Sequence, residues 1–132
     1  MGVTAFLLDT HIALWLLGDP ARVPEGVRAT LADPANALLV SAASAMEVAT
    51  KTRLGKLDAL PVVMTWFARV AGIGADELAI TSEHALFAGT MAWSHRDPFD
   101  RLLVAQAMTE GATLVTVDSV IREYHQVDVL TW

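Results

Sequence analysis

The stretch His95-Arg96-Asp97-Pro98-Phe99-Asp100-Arg101-Leu102-Leu103-Val104-Ala105-Gln106-Ala107 opens with two acids and then turns apolar. Asp97 is an N-cap residue by type, Pro98 falls at the first helical position where its missing N–H costs nothing, and Asp100 at N3 meets the positive end of the helix dipole. The pattern predicts a helix that starts after Asp97 and is stopped by Gly111. From Leu102 to Ala107 the apolar surface runs nearly all round, which predicts a helix buried in the middle of a domain. A carboxylate at the mouth of such a helix needs a partner, and with other acids well placed along the chain a divalent cation is the economical one.

Short apolar runs alternate with helical segments on either side. Ala5-Phe6-Leu7-Leu8, residues 37–41, 77–80, 113–117 and 127–130 read as strands, and the first and fourth lead directly into Asp9 and Asp118. Helices are expected over 11–17, 24–31, 44–54, 62–70, from Ser82 to Met91, and over 119–124. In the third of these Ser44 is the expected cap, with Glu47 at N3 as in a capping box. The alternation predicts an α/β fold, a three-layer α/β/α sandwich with a mainly parallel central sheet, as a single domain over residues 1–132. Ligands bind beyond the carboxyl ends of such strands. Asp9 and Asp118 therefore reach one rim, which the helix starts carrying Glu47 and Asp97 to Asp100 can face.

Bulk composition narrows the function classes. A chain of 132 residues, 54% hydrophobic, suffices for one core, and a net charge of -6 argues against a protein held on nucleic acid by a broad basic surface. The absence of cysteine excludes disulfides and thiolate metal sites. No basic segment precedes the first apolar run and no uncharged run has the ~18 residues of a membrane span, so a soluble, cytoplasmic protein is expected.

Each acid also has an ordinary explanation: Asp97 and Asp118 as helix caps, Glu47 as the partner of Lys51 one turn on. Asp9, directly after four apolar residues, is harder to dismiss. Four carboxylates brought together with no arginine or lysine between them repel strongly, and the cluster calls for protonation or a cation. Oxygen ligands favour Mg²⁺, with Mn²⁺ as an alternative; His11, His84, His95 and His125 lack zinc-like spacing, and His95 is the one near the site. Such an ion suits phosphodiester hydrolysis. A Mg²⁺ phosphatase or phosphotransfer protein shares the crevice logic but wants a second acid two residues after the first, or a lysine near the last strand. A binding module that keeps the fold without catalysis is the third reading.

With these residues in view, the chain resembles the PIN-domain ribonucleases, in particular the VapC-type toxins of bacterial toxin-antitoxin pairs. The likeness rests on Leu7 to His11 with Trp15 following, on Ser41 through Glu47-Val48, on the whole of 95–107, and on Leu114 to Asp118. It implies a metal-dependent endoribonuclease whose acids are Asp9, Glu47, Asp100 and Asp118, with Thr10, Asp97 and Thr116 standing behind them. It also implies a cognate antitoxin protein and a homodimer. Arg96 and Arg101, beside the site, are expected to meet RNA phosphates. Trp15, Trp66, Phe67 and Trp93 are groove or dimer candidates, with core packing the commoner role.

Overall fold

The fold, obtained as a computed structural model, describes residues 3–132; Met1 and Gly2 of the expected domain lie outside it. Its sheet has five strands, all parallel, in the order β3-β2-β1-β4-β5. The central β1 (Ala5–Leu8) lies between β2 (Ala37–Ser41) and β4 (Thr113–Val115), with β3 (Asp76–Leu78) and β5 (Val129–Leu130) at the edges. Its side chains alternate between two cores. Phe6 and Leu8 enter one that holds Ile12, Leu17, Val48, Val62, Trp66 and Val70, whereas Leu7 enters the other with Leu103, Val104, Leu114 and Ile121.

Helices thus cover both faces, as a buried parallel sheet requires. α1 (Thr10–Gly18), α2 (Glu25–Ala32), α3 (Ala42–Arg53), α4 (Leu60–Met64) and α5 (Trp66–Gly72) supply the first core. α6 (Ser82–Thr90), α7 (Pro98–Glu110) and α8 (Ser119–Arg122) supply the second. None of the described helices is long and apolar enough to cross a membrane.

α7 is built as its sequence dictates. The Asp97 carboxylate accepts from the Phe99 and Asp100 N–H groups at 2.9 and 3.0 Å, Gly111 turns left-handed at φ 64°, and Leu103 to Ala107 are buried without a break. Elsewhere several boundaries differ. β2 runs straight into α3, so Ser41 is the cap and accepts from Ala43 N–H; Ser44 lies inside the helix, Glu47 sits near its middle, and no capping box forms. Thr81, not Ser82, caps α6, in a reciprocal pair with His84. The helix expected over 62–70 breaks at Thr65, which lets Val62, Trp66 and Val70 all face the core and leaves Phe67 80% exposed. β4 ends at Val115; the Thr116 N–H still bonds Leu130 O, and its hydroxyl turns to Asp9.

Arg101 departs from expectation most. Its guanidinium donates to the carbonyls of Ala88, Met91, Trp93 and His95 at 2.6–2.9 Å, tying the 91–97 loop to the first turn of α7. With four of its five N–H donors so occupied, Arg101 braces this loop. Arg101→Met strands those carbonyls and is expected to lower unfolding free energy by roughly 2–4 kcal/mol, read from urea denaturation.

Candidate active site

Asp9 follows the last residue of β1, and its N–H still bonds Val115 O of β4 at 2.9 Å, so the strand register sets where its carboxylate begins. The side chain is 4% exposed. Its Oδ1 accepts from Thr10 N–H and its Oδ2 from the Thr116 hydroxyl, each at 2.7 Å. Burial raises its pKa against those two hydrogen bonds and the charge of His11, while the charge of Asp118 raises it further. Thr116 is wholly buried and works in both directions: its Oγ1 donates to Asp9 and accepts the Asp118 N–H at 3.0 Å. One hydroxyl thereby couples two acids that are 109 residues apart in sequence.

Asp118 caps α8, its Oδ1 taking the Val120 and Ile121 N–H groups at 2.8 and 3.4 Å. The ordinary capping role read in the sequence is thus present, together with a position within electrostatic reach of Asp9. On α3, Glu47 is 4% exposed and its Oε2 pairs with Lys51 Nζ at 2.6 Å. Its other oxygen, Oε1, is buried and has no hydrogen-bond partner. The Lys51 pKa is raised chiefly by that hydrogen bond to Glu47, with the charges of Asp97 and Asp100 adding to it. The expectation of acids with no lysine among them therefore fails: Lys51 stands at their edge and meets part of the charge. The cause is the i, i+4 spacing on α3, which puts both side chains on one face.

Asp100 is pushed up to about 6 by burial first, with the charges of Asp97 and Asp9 adding and the His95 hydrogen bond opposing. His95 Nε2 lies 2.7 Å from Asp100 Oδ2. Asp97 turns to the α7 backbone and acts on the rim only through its charge. Thr10 packs its hydroxyl 3.0 Å from Ser44 Oγ, joining α1 to α3 behind the acids.

The fold thus brings both Asp100 and Asp118 within electrostatic range of Asp9 and links Glu47 to Asp100 through Lys51. Each acid, however, keeps its own partners. Among the described residues no three Asp, Glu or His side chains close round a single point as a ligand set does. Lys51 and His95 each engage one oxygen of their carboxylate, and Glu47 Oε1 stays without a partner. Two clefts lie on the elements that carry these residues, one of about 450 Å³ lined by His11 and Trp15 and one of about 440 Å³ lined by His95 and Arg96; none of the four acids lines either.

The sequence reading missed the brace beneath the rim: Ser41 Oγ donates to Gln106 Oε1 at 2.5 Å, and Gln106 is fully buried. An amide in the middle of an otherwise apolar run was the available signal.

The PIN domain family model matches residues 6–126. Ribonuclease VapC22 of Mycobacterium tuberculosis is 30% identical over 132 residues, covering 98% of this chain and 100% of that protein. Among solved structures, VapBC2 from Rickettsia felis, bound to a DNA fragment from its promoter, superposes with a TM-score of 0.73 at 15% identity, covering 98% of this chain and 99% of the other. VapBC-1 of nontypeable Haemophilus influenzae gives 0.62 at 17% identity, covering 98% of each chain. These two are likenesses of fold.

The raised Asp100 pKa has a measurable consequence for stability. Between its ordinary value of 3.8 and about 6, the native state holds a proton that the unfolded chain has released, so stability from this group is lost as pH rises through that window. In chelator-treated buffer, Asp100→Asn is expected to gain stability relative to the unmodified protein as pH goes from 4 to about 6.5. Denaturant titrations at steps across that range check it; a constant difference contradicts the shift.

Proposed function

Because the chain belongs to the PIN-domain family, we propose that it is a metal-dependent endoribonuclease, the toxin of a toxin-antitoxin pair, hydrolysing RNA phosphodiester bonds. The observation that carries this reading is the pair of deeply buried carboxylates, Asp9 and Glu47, the second with an oxygen that nothing in the protein satisfies. A buried, unpartnered carboxylate oxygen is costly to maintain and fits a ligand atom awaiting a cation. The donor set fits too: oxygens throughout and no thiolate, which favours Mg²⁺ with Mn²⁺ as a substitute.

In this reading Asp9 and Asp100 are the principal ligands, and Glu47 and Asp118 complete the pocket and position the attacking water. When bound, the ion supplies a lowered water pKa and charge neutralisation at the attacked phosphate. The chain's own groups prepare that chemistry. Thr10 N–H and the Thr116 hydroxyl fix the Asp9 carboxylate, so its orientation costs little on binding. His95 holds Asp100 and is placed to take a proton from it or return one. Lys51 keeps Glu47 compensated until the site fills. Arg96, exposed at the rim, is the cation left for an RNA phosphate.

The relatives' names extend the reading to partners. VapC22 is named as a ribonuclease, and the two solved neighbours are named VapBC2 and VapBC-1, which supports a cognate antitoxin; a homodimeric toxin is part of the same proposal.

Asp9→Asn and Asp100→Asn are each expected to cut RNA cleavage by more than a hundredfold without unfolding the protein, and a chelator to abolish cleavage by the unmodified protein. Gel assays on a mixed single-stranded RNA, with circular dichroism as the folding control, test both points. Full activity in either variant, or in the presence of chelator, contradicts the mechanism.

A further inference from the structure

The cleft that includes His95 holds more aromatic surface than the proposed chemistry uses. Trp93 and Tyr124 stack with ring centroids 4.7 Å apart and planes 29° from parallel, and the His95 ring lies 4.9 Å from Trp93 at 51°. The row of rings thus ends at the histidine that is hydrogen-bonded to Asp100. Trp93 and Tyr124 are half-buried, packed on the core that holds Leu103 and Ile121, so the platform is fixed by the fold. Among the described residues, the Trp93 indole N–H and the Tyr124 hydroxyl have no protein hydrogen-bond partner, and neither is a buried unsatisfied atom, so both polar edges face solvent. Arg96 on the same wall is exposed and has no ion-pair partner among the described residues, whereas Arg101 spends four of its five N–H donors on backbone carbonyls.

The stacked ring pair with its open polar edges, and the free guanidinium of Arg96 with Glu123 on the same wall, can meet the repeating chemistry of single-stranded RNA, a base followed by a phosphate. We propose that this cleft is the subsite for a nucleotide adjacent to the scissile bond, its base stacked on the Trp93–Tyr124 platform and its phosphate met by Arg96. The proposal rests on the ribonuclease reading and concerns these side chains alone: the rings accept a nucleotide only where its base is unstacked, because a base inside a duplex offers them no face. With a net charge of -6, the chain lacks the broad basic surface that would hold RNA without such a local contact.

The test is binding of a fluorescein-labelled uridine octanucleotide in EDTA, which keeps the strand intact, read by anisotropy over a salt series. Trp93→Leu and Tyr124→Leu are expected to weaken binding about tenfold, Trp93→Phe less than threefold because a ring remains. Arg96→Gln is expected to weaken binding severalfold and to reduce the salt slope by about 0.7, the contribution of one phosphate on a single strand. Arg96 is exposed, so its variant reports even where a leucine variant fails to fold. Photocrosslinking of a 5-iodouridine strand to the unmodified protein is expected to label Trp93 or Tyr124. If the unmodified protein binds and cleaves RNA while these variants bind it equally well and crosslinks fall elsewhere, the subsite is wrong and the cleft belongs to a protein partner. If the unmodified protein, supplied with Mg²⁺, neither binds nor cleaves RNA, the ribonuclease reading falls first.

Discussion

The structure depends on keeping a buried negative charge at the carboxyl end of its central strand. Asp9 is covered on nearly all sides, and two donors, Thr10 N–H and the Thr116 hydroxyl, hold its carboxylate. Both donors come from the backbone path: Thr10 opens α1, and Thr116 is delivered by the parallel register of β1 with β4. A one-residue slip of β4 would exchange its two faces and send Thr116 away from Asp9. The sheet register and the charge are therefore one constraint, and the apolar alternation of β1 between two cores enforces it.

Around that fixed acid the other carboxylates are held more loosely. Glu47 is compensated by Lys51 and Asp100 by His95, pairings that a cation can displace. The arrangement reads as a site balanced between self-neutralisation and ion binding. Burial raises the proton affinity of Asp9 and Asp100, so in the proposed function a proton would compete with the cation for their oxygens. Arg101 matters here without touching the acids, since the loop it anchors carries His95, Arg96 and the Asp97 cap.

The features that sequence made plain were local ones. Asp97, Pro98, Asp100 and Gly111 set α7 through caps and backbone geometry that involve only their near neighbours. Apolar runs ending in Asp9 and Asp118 placed two acids on one rim because parallel strands share a direction. What stayed hidden was non-local or degenerate. Ser41 and Ser44 are equally good caps by type, and only the direct passage of β2 into α3 decides between them. In the sequence Arg101 reads as facing phosphate because its carbonyl partners, one in the last turn of α6 and three on the loop after it, are announced by no periodicity. The pairing of Lys51 with Glu47 was legible as an i, i+4 contact, but its place among the acids required the fold.

Anomalous diffraction from crystals grown with Mn²⁺ tests the central claim most directly. The account predicts a peak between Asp9 and Asp100, within coordination distance of their carboxylate oxygens, with Lys51 withdrawn from Glu47. Active protein that shows no peak at this rim, with the Lys51–Glu47 and His95–Asp100 pairs intact, would contradict it.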